Sequence, residues 1–438
     1  MCGATYFYAI FCGLCLINCT STQDFATSKG DRRLLKVITT SPTFSNLHTG
    51  FALYDPATKN WLCQYNAHKY FTPASNTKIL TLLTCLHVLG DSIETMRYVL
   101  KGDSLIFRGM GDPSFLFAEL PSSTQPLEIL RDHPGRVFYQ AGAELDHYGP
   151  GWAWDDYPYT YQVEKSALPL YGNRVKVTRN REGEVVVLPG YFSDYIETDT
   201  TDLSILSRDQ VANVFVLNDF LMSFRDTLEI PFIVSDFEIT RLLMDTLHRA
   251  VDVIYDETLY GDDVPVYGAS RDTLLKRMMQ VSDNFISEQL LMQCAFYMRG
   301  TLESDSAIAV AQQMIMGGVP DSLHWVDGSG LSRYNLFTPR SLVWVLEQLM
   351  QLQSMDYLTE IFPAGGRSGT LADWYGADPS YIYAKTGSLR NQHCLSGYLH
   401  ADSGKWLIFS FMHNNFVCES AEIKKEMEKI LLMIKKRK

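Results

Sequence analysis

The sequence predicts a mixed α/β (α+β) fold in which a strand-rich segment is inserted into a unit of helices and strand hairpins. Three observations lead to this prediction. Hairpin patterns occur near both ends of the chain, and apolar helical patterns lie between them. Residues 101–264 differ, because they consist mainly of short strand-like runs. The chain has 438 residues, of which 46% are hydrophobic, so it can bury more than one core.

The first hairpin and the first helix precede the insertion. Residues 50–54 and 61–65 are strand-like, and a turn-forming segment, Asp55-Pro56-Ala57-Thr58-Lys59-Asn60, separates them. After Pro73, the stretch 79–89 is apolar nearly all round and is followed by Gly90, which suits the C′ position. We therefore expect a buried central helix that begins near Ser75.

The inserted segment contains short strand-like runs, such as 175–178 and 185–188, between many Gly, Pro and Asp residues. Helical and hairpin patterns then return. The helical patterns lie at 270–280, 285–298, 341–352 and 421–434, and the hairpin pattern at 396–400 and 406–412. The sequence thus predicts accessory material within an otherwise continuous unit.

Charge and composition exclude several classes of function. The formal net charge of −12 and the pI near 5.3 argue against nucleic-acid binding, which needs clustered Lys and Arg. No His and carboxylate cluster at ligand spacing occurs, so no metal and no other cofactor is expected. Five of the nine cysteines lie beyond residue 19 at wide, irregular spacings, which does not suggest a disulfide framework.

Residues 1–19 have the character of a leader. The stretch is apolar, too short to span a membrane comfortably, and lacks a basic n-region, because the first cationic residue is Lys29. We expect a secretion signal and a protein of the cell envelope or periplasm. Leu16-Ile17-Asn18-Cys19 is similar to a lipoprotein cleavage box, although Asn18 is larger than the usual residue there. Acylation of Cys19, with a membrane tether, and plain signal cleavage both stay open.

Three short motifs occur in order, each once: Ser75-Asn76-Thr77-Lys78, Ser282-Asp283-Asn284 and Lys385-Thr386-Gly387. In a chain of average composition the first two patterns arise by chance about once or twice each, and the third roughly one time in ten. The combination carries the prediction, since no single motif is specific.

In the first motif, Ser75 is the candidate nucleophile and Lys78 its base. At a helix N-terminus, residues three apart project from the same face, so the amine can reach the hydroxyl. A neutral amine can activate an alcohol if its pKa is brought down by burial or by a second cation, for which Lys385 is the candidate. The alternative is an ordinary N-cap serine with a surface lysine.

The second motif falls between two helical patterns, where polar residues often mark only a loop or a cap. In the catalytic interpretation, the Ser282 hydroxyl relays a proton to the leaving amine, and the Asn284 amide binds Lys78 or the substrate backbone. Asp283 is expected to point away and to serve packing or solvation.

The third motif follows the strand-like run 381–384, which suggests an edge strand beside a cleft. Lys385 and Thr386 would hold a terminal carboxylate, and Gly387 would let a ligand approach the backbone. The amides of Ser75 and Ser388 would form an oxyanion hole. The alternative is a β-turn with an exposed lysine.

The trio is typical of penicillin-binding proteins and class A β-lactamases. With its contexts, the chain resembles the D-alanyl-D-alanine carboxypeptidase/endopeptidase family, the low-molecular-mass class C penicillin-binding proteins of the SxxK acyltransferase superfamily. The similarity runs from about Gly50 to the last helix. The segments that carry it are Phe71-Thr72-Pro73-Ala74-Ser75-Asn76-Thr77-Lys78, Gly109-Met110-Gly111-Asp112-Pro113-Ser114, Gly151-Trp152-Ala153-Trp154-Asp155-Asp156, Asp327-Gly328-Ser329-Gly330-Leu331-Ser332-Arg333 and Ala384-Lys385-Thr386-Gly387-Ser388-Leu389.

The resemblance implies a transpeptidase-like domain, with an antiparallel sheet flanked by helices, from residues 30–100 and 265–438. Residues 101–264 would form one or more accessory domains. The segment between Ser75 and Ser282 is almost half of the chain, and a large insertion after the nucleophile helix is a mark of this family, whereas class A β-lactamases place the two motifs closer. The implied activity is DD-peptidase action on peptidoglycan peptides through a Ser75 acyl-enzyme, which β-lactams would also form.

Weaker assignments concern other family-like segments. Residues 327–333 and 369–371 would shape the cleft wall or serve only as structural loops. Trp152, Trp154, Asp155 and Asp156 would fix the insertion, with sugar binding as the alternative. A β-lactamase-like hydrolase and a non-catalytic wall-binding scaffold are the rival functions.

Overall fold

The computed structural model describes residues 24–142, 145–255 and 262–437. The predicted leader, including Cys19, lies outside the described residues. Among the helices that are described, none combines the length and the apolar character that crossing a membrane requires.

The described chain folds into both strands and helices, often in runs of one kind. The strands are β1 (Phe25–Ala26), β2 (His48–Asp55), β3 (Asn60–Tyr65), β4 (Ser92–Lys101), β5 (Ser104–Gly109), β6 (Arg136–Gln140), β7 (Arg174–Arg179), β8 (Val185–Leu188), β9 (Ile196–Thr198), β10 (Leu206–Arg208), β11 (Phe215–Leu217), β12 (Leu228–Pro231), β13 (Asp252–Ile254), β14 (Val264–Ser270), β15 (Ile382–Leu389), β16 (Gln392–His400) and β17 (Trp406–Asn414). The helices are α1 (Lys29–Thr40), α2 (Lys78–Val88), α3 (Gln125–Asp132), α4 (Asp236–Leu247), α5 (Arg271–Gln280), α6 (Asn284–Arg299), α7 (Ser304–Met314), α8 (Pro339–Leu352), α9 (Met355–Ile361) and α10 (Ser420–Lys435).

A six-stranded sheet in the order β1-β3-β2-β17-β16-β15 organises the first unit, and its strand pairs are antiparallel. Side chains of β17 alternate between two cores. Ile408 and Met412 face the core that contains α2, α5, α6 and α8, whereas Phe409 and Phe411 face the core that contains α1 and α10. The predicted antiparallel sheet flanked by helices is confirmed. Strand β15, which carries Lys385, lies at the sheet edge as the sequence predicts.

The central helix α2 is buried on every side along residues 78–86, as its apolar sequence predicts. It ends with Leu89 in an extended conformation, and Gly90 does not adopt the left-handed conformation that a C′ glycine often has. The helix is therefore ended by the turn into β4, not by a glycine cap.

The segment after α2 builds a second group of sheets with its own core. These are a five-stranded sheet, β13-β6-β5-β4-β14, and two three-stranded sheets, β10-β11-β9 and β12-β7-β8. The five-stranded sheet pairs β4 with β14, so the predicted domain boundaries at 100/101 and 264/265 fall at the end of β4 and the start of β14. The division into domains at those residues stays a prediction.

The hairpins and the five helices that the sequence patterns predict are present as β2–β3, β16–β17, α2, α5, α6, α8 and α10. Helices α1, α3, α4, α7 and α9 are not in that prediction. Helix α4, of 12 residues, lies in the segment predicted as strand-rich; Ser235 caps its first turn, and its apolar face packs into the second core. Tertiary burial of one face outweighs the strand-like texture around it.

Candidate active site

The turn that carries Ser75, the candidate nucleophile, is called the nucleophile turn here and differs from the predicted helix start. A 3₁₀ turn, Ala74–Thr77, precedes α2, and Ala74 has φ of 49°. Side chains three residues apart eclipse one another in a 3₁₀ turn, which brings Lys78 Nζ to 3.1 Å from Ser75 Oγ. Ser75 is half-buried, whereas Ala74, Asn76 and Thr77 are buried. The Ser75 side chain is thus the one in this turn that faces the cleft.

Lys78 is completely buried, and its amine has three neighbours. Nζ donates to Asn284 Oδ1 at 2.6 Å and to the Ser329 carbonyl at 2.7 Å, and it lies beside Ser75 Oγ. Burial lowers the pKa of Lys78 to about 8, against the charges of Asp327, Glu288 and Asp283, which raise it. A neutral amine has two N–H groups and one lone pair, so a neutral Lys78 that donates to the Asn284 and Ser329 oxygens would keep its lone pair for the Ser75 hydroxyl.

Asn284 is oriented by the insertion. Its Nδ2 donates to the Tyr161 carbonyl at 2.9 Å, in a 3₁₀ turn, Thr160–Gln162, of the inserted segment. Because an amide has a donor end and an acceptor end, this contact directs Oδ1 towards Lys78. One Nδ2 hydrogen stays available for a ligand.

The other two residues of the second motif have distinct roles. Ser282 has φ of 64°, and its Oγ accepts from Lys385 Nζ at 2.9 Å. Asp283 is the N-cap of α6, accepts from the Ile286 amide at 3.0 Å and contacts Arg277 at 3.4 Å. Asp283 therefore stabilises the helix start, in line with the packing role expected from the sequence.

Lys385 is also fully buried, on β15. Its Nζ donates to Ser282 Oγ and to the Thr386 carbonyl at 3.0 Å. Burial, with the charge of Lys78 second, lowers the pKa of Lys385 well below its usual value. Among the described residues, the hydrogen-bond partner of Ser75 Oγ is Lys78, so Lys385 connects to the site through Ser282 instead of contacting the nucleophile.

Strand β15 packs directly on the nucleophile turn. Asn76 Nδ2 donates to the Lys385 carbonyl at 3.0 Å, and a Cβ on Gly387 would lie 2.3 Å from the Pro73 carbonyl oxygen. A glycine is therefore required at this position because two protein segments meet there. The close approach of a ligand to the Gly387 backbone stays a prediction.

The end of β15 carries two hydroxyl groups. Thr386 Oγ1 donates to Thr370 Oγ1 at 2.7 Å, which brings the 369–371 turn to the site. Ser388 is exposed, and its Oγ lies 2.9 Å from His393 Nδ1. The outer edge of β15 is covered near Ile382–Ala384 by segment 363–365, through hydrogen bonds of Gly365 N to the Ile382 carbonyl and of Ala384 N to the Pro363 carbonyl.

The loop 327–333 contributes more than a cleft wall. Its Ser329 carbonyl holds Lys78, while buried Asp327 accepts from the Gly330 and Ser332 amides at 2.8 and 2.6 Å. Trp152 Nε1 also donates to Asp327 at 2.9 Å, so Trp152 fixes the insertion as predicted. Trp154, by contrast, is 72% exposed, so the packing role expected of it is wrong.

Sequence reasoning did not identify the Ser329 and Tyr161 carbonyls as site groups. Backbone carbonyls carry no side-chain signature, and only the family-like segment 327–333 could have indicated the first. Within the described residues, no group of three or more His, Cys, Asp or Glu side chains is arranged to hold a metal ion.

Comparisons with known proteins agree on one family. The D-Ala-D-Ala carboxypeptidase 3 (S13) family matches residues 32–204 and 269–437. The chain is 24% identical to the penicillin-sensitive carboxypeptidase A of Dictyostelium discoideum, covering 85% of this chain and 83% of that one. It is also 24% identical to the D-alanyl-D-alanine carboxypeptidase DacB of Haemophilus influenzae, covering 89% and 93%. The fold is similar to the crystal structure of penicillin-binding protein 4 from Haemophilus influenzae, with a TM-score of 0.71 at 20% identity over 91% of this chain and 97% of that one.

Proposed function

Because the chain belongs to the D-Ala-D-Ala carboxypeptidase 3 (S13) family, we propose that Ser75 is the nucleophile of its serine DD-peptidase reaction. The chain is a serine-type D-Ala-D-Ala carboxypeptidase that acts on peptidoglycan peptides. The observation that supports Ser75 is the 3.1 Å contact between its hydroxyl and the Lys78 amine, which the Asn284 and Ser329 oxygens hold in place. The alternative of a capping serine with a surface lysine does not fit a lysine that is fully buried.

In the first step, neutral Lys78 takes the Ser75 proton as Oγ attacks the carbonyl carbon of the penultimate D-alanine. The new C–O bond gives a tetrahedral intermediate whose oxyanion faces the amides of Ser75 and Ser388. The C–N bond then breaks, and the amine of the last D-alanine leaves with the proton that Lys78 took from Ser75, relayed through Ser282, which returns Lys78 to its neutral form. Water later cleaves the acyl ester and returns the proton to Ser75.

Substrate capture falls to the open part of β15. The strand edge is covered at Ile382–Ala384, so an extended peptide can pair only with the part that begins at Lys385. Lys385 and the hydroxyl of Thr386 would hold the terminal carboxylate, and the second Nδ2 hydrogen of Asn284 would bind the peptide backbone. Binding of the carboxylate would raise the pKa of Lys385 and thereby favour its protonated form.

β-Lactams acylate the same serine, since their strained amide carbonyl takes the place of the scissile one. A relative of this fold, penicillin-binding protein 4 from Haemophilus influenzae, has been crystallised with a β-lactam. The substrate places the enzyme at the cell envelope. A tether through Cys19 would be recognised by incorporation of a labelled fatty acid, which the Cys19→Ala variant would lose; equal labelling of both would exclude acylation at that cysteine.

Covalent labelling tests the nucleophile. Fluorescent penicillin should label the purified protein, the Ser75→Ala variant should stay unlabelled, and the Ser45→Ala variant, which changes an exposed serine, should label fully. Labelling of Ser75→Ala would reject the assignment. A non-catalytic scaffold would give no label, and rapid turnover of a chromogenic cephalosporin would instead identify a β-lactamase.

Mass analysis of digested muropeptides tests the reaction itself. Loss of a terminal D-alanine identifies carboxypeptidase action, and appearance of monomers from cross-linked dimers identifies endopeptidase action. Intact peptides after digestion by a protein that does label with penicillin would contradict the peptidase assignment.

A further inference from the structure

A buried carboxylate lies one helical turn beyond the catalytic asparagine. Asn284 and Glu288 are four residues apart on α6 and therefore share a face of that helix. Asn284 contacts the Lys78 amine directly at 2.6 Å. Glu288, only 1% exposed, makes no side-chain hydrogen bond to that amine, and its contacts go to the backbone of loop 327–333.

The two carboxylate oxygens of Glu288 bind consecutive backbone amides. Oε1 accepts from Ser329 N at 2.7 Å, and Oε2 accepts from Gly328 N at 3.1 Å. The carbonyl of the same Ser329 accepts from Lys78 Nζ at 2.7 Å. A path of hydrogen bonds thus runs from Glu288 through the backbone of residue 329 to the amine beside Ser75, because the amide and the carbonyl of Ser329 flank the same Cα atom.

The neighbouring carbonyl is fixed as well. Gly328 O accepts from the hydroxyls of Thr81 and Ser287, each at 2.7 Å. The 328–329 peptide plane is therefore held at both ends, at its carbonyl by the two hydroxyls and at its amide by Glu288. The Ser329 carbonyl lies in the following plane, whose Gly330 amide donates to Asp327 at 2.8 Å, so Glu288 and Asp327 together fix the two planes that flank the Ser329 Cα. A glutamine in place of Glu288 would turn an N–H group towards backbone N–H groups, which cannot accept it.

Keeping a carboxylate here is costly, because ionised groups lose hydration on burial. Burial and, second, the charge of Asp327 raise the pKa of Glu288, while the charge of Lys165 and the Ser329 and Gly328 donors act to lower it. No Lys or Arg of the described chain pairs with Glu288 within 4 Å, so an ion pair does not account for the residue. Two charge-assisted bonds to the loop favour the ionised form.

We infer that Glu288 is a positioning residue that holds the Ser329 carbonyl against Lys78 and thereby directs the amine at the Ser75 hydroxyl. The inference rests on the proposed function, in which Lys78 is the base. It assigns a purpose to a helix position that the three motifs do not include.

Glu288 also acts on Lys78 through charge. The charged groups that face Lys78 are Asp327, Glu288, Asp283 and Lys385, and the three carboxylates all favour the protonated amine. Removing the charge of Glu288 would lower the pKa of Lys78. Because the neutral amine is the base, the rising limb of the acylation rate against pH would move to lower pH.

The experiment compares wild type with Glu288→Gln, Glu288→Asp and Glu94→Gln, measuring the second-order rate constant of penicillin acylation on both sides of pH 8. Glu94 is a control carboxylate, 2% exposed, which binds Arg97 and Tyr297. Glu288→Gln should lower the high-pH plateau of this rate constant about 10- to 100-fold and move the rising limb of its pH profile to lower pH. Glu288→Asp, which keeps the charge but not the reach, should lower the plateau and leave the limb in place.

Each outcome decides. Unchanged plateau and limb in Glu288→Gln would overturn the inference, and so would a plateau loss in Glu94→Gln of the same size, which would indicate general destabilisation. Rates are referred to the folded fraction from thermal unfolding, so that Glu288→Asp decides if Glu288→Gln fails to fold. Failure of the wild type to acylate would instead reject the proposed function.

Discussion

The pocket around Lys78 and the end of strand β15 around Lys385 each bury a lysine in the same cleft, yet their surroundings differ. The Lys78 amine donates to two fixed carbonyl oxygens, those of Asn284 and Ser329. The Lys385 amine contacts the Ser282 hydroxyl and a carbonyl of its own strand. Two carbonyl oxygens from distant segments thus hold the first amine, whereas one hydroxyl and one carbonyl oxygen of the adjacent residue hold the second.

The charges around the two amines differ in the same sense. Three carboxylates raise the pKa of Lys78 against the effect of burial, which leaves it at about 8. No carboxylate is among the causes of the pKa shift of Lys385, since burial and the charge of Lys78 both lower its pKa. A base that must exchange protons near neutral pH needs the first environment. A carboxylate receptor can use the second, because the substrate supplies the missing charge.

The largest effect should follow from removing the Lys78 amine. Lys78→Met fills the buried site with a side chain of similar length and no base, so acylation by penicillin should slow about 10²- to 10⁴-fold. Stopped-flow or gel-based labelling measures the rate, and thermal unfolding shows that the variant is folded. Labelling at the wild-type rate would mean that another group activates Ser75.

Removing the Lys385 amine should weaken substrate capture. A charge-assisted hydrogen bond is worth about 1.5 to 3 kcal/mol, so Lys385→Ala should lower kcat/KM for a D-Ala-D-Ala peptide by roughly 10- to 150-fold. A peptide amide that lacks the terminal carboxylate is the matched control, and its turnover should respond much less. Equal losses on both substrates would remove the distinction between the two lysines.

The junction between the two regions is tested at Gly387. Gly387→Ala places a Cβ 2.3 Å from the Pro73 carbonyl and would push β15 away from the nucleophile turn, at a cost of about 1 to 3 kcal/mol of stability. Gly90→Ala is the control, because Gly90 is exposed and a Cβ there meets nothing within 4 Å. Denaturant unfolding compares the two. A Gly387→Ala protein as stable as Gly90→Ala would mean that the strand adjusts freely.

Sequence reasoning identified the side chains of this site better than its backbone. Ser75 and Lys78 could be placed together because a turn of known pitch joins them, and Lys385 because a strand-like run precedes it. The Ser329 and Tyr161 carbonyls could not, since any residue type can supply a carbonyl and long-range packing decides which one arrives. The contact between Gly387 and Pro73 could not be predicted for the same reason, because the two residues are distant in sequence.

The insertion was the least predictable region for a related reason. Its short strands could be recognised in the sequence. The formation of α4, however, depends on burial of one face against a core that no local pattern reveals. Trp152 was correctly expected to fix this segment, whereas the exposure of Trp154 depends on the path of the chain around it.

The smallest expected effect concerns Thr370, which lies at the Lys385 end of the cleft. Its hydroxyl accepts from Thr386 Oγ1 at 2.7 Å, so Thr370→Val would leave the Thr386 hydroxyl without that acceptor and free to rotate. The loss of one neutral hydrogen bond, about 0.5 to 1.5 kcal/mol, should raise KM for a D-Ala-D-Ala peptide a few-fold. The pH dependence of acylation should stay unchanged if Lys78 is the base, as proposed. Thr370→Ser, which keeps the hydroxyl, should restore KM. A shifted pH limb in Thr370→Val would show that the two regions are coupled, because a change confined to the carboxylate receptor would then have reached the base.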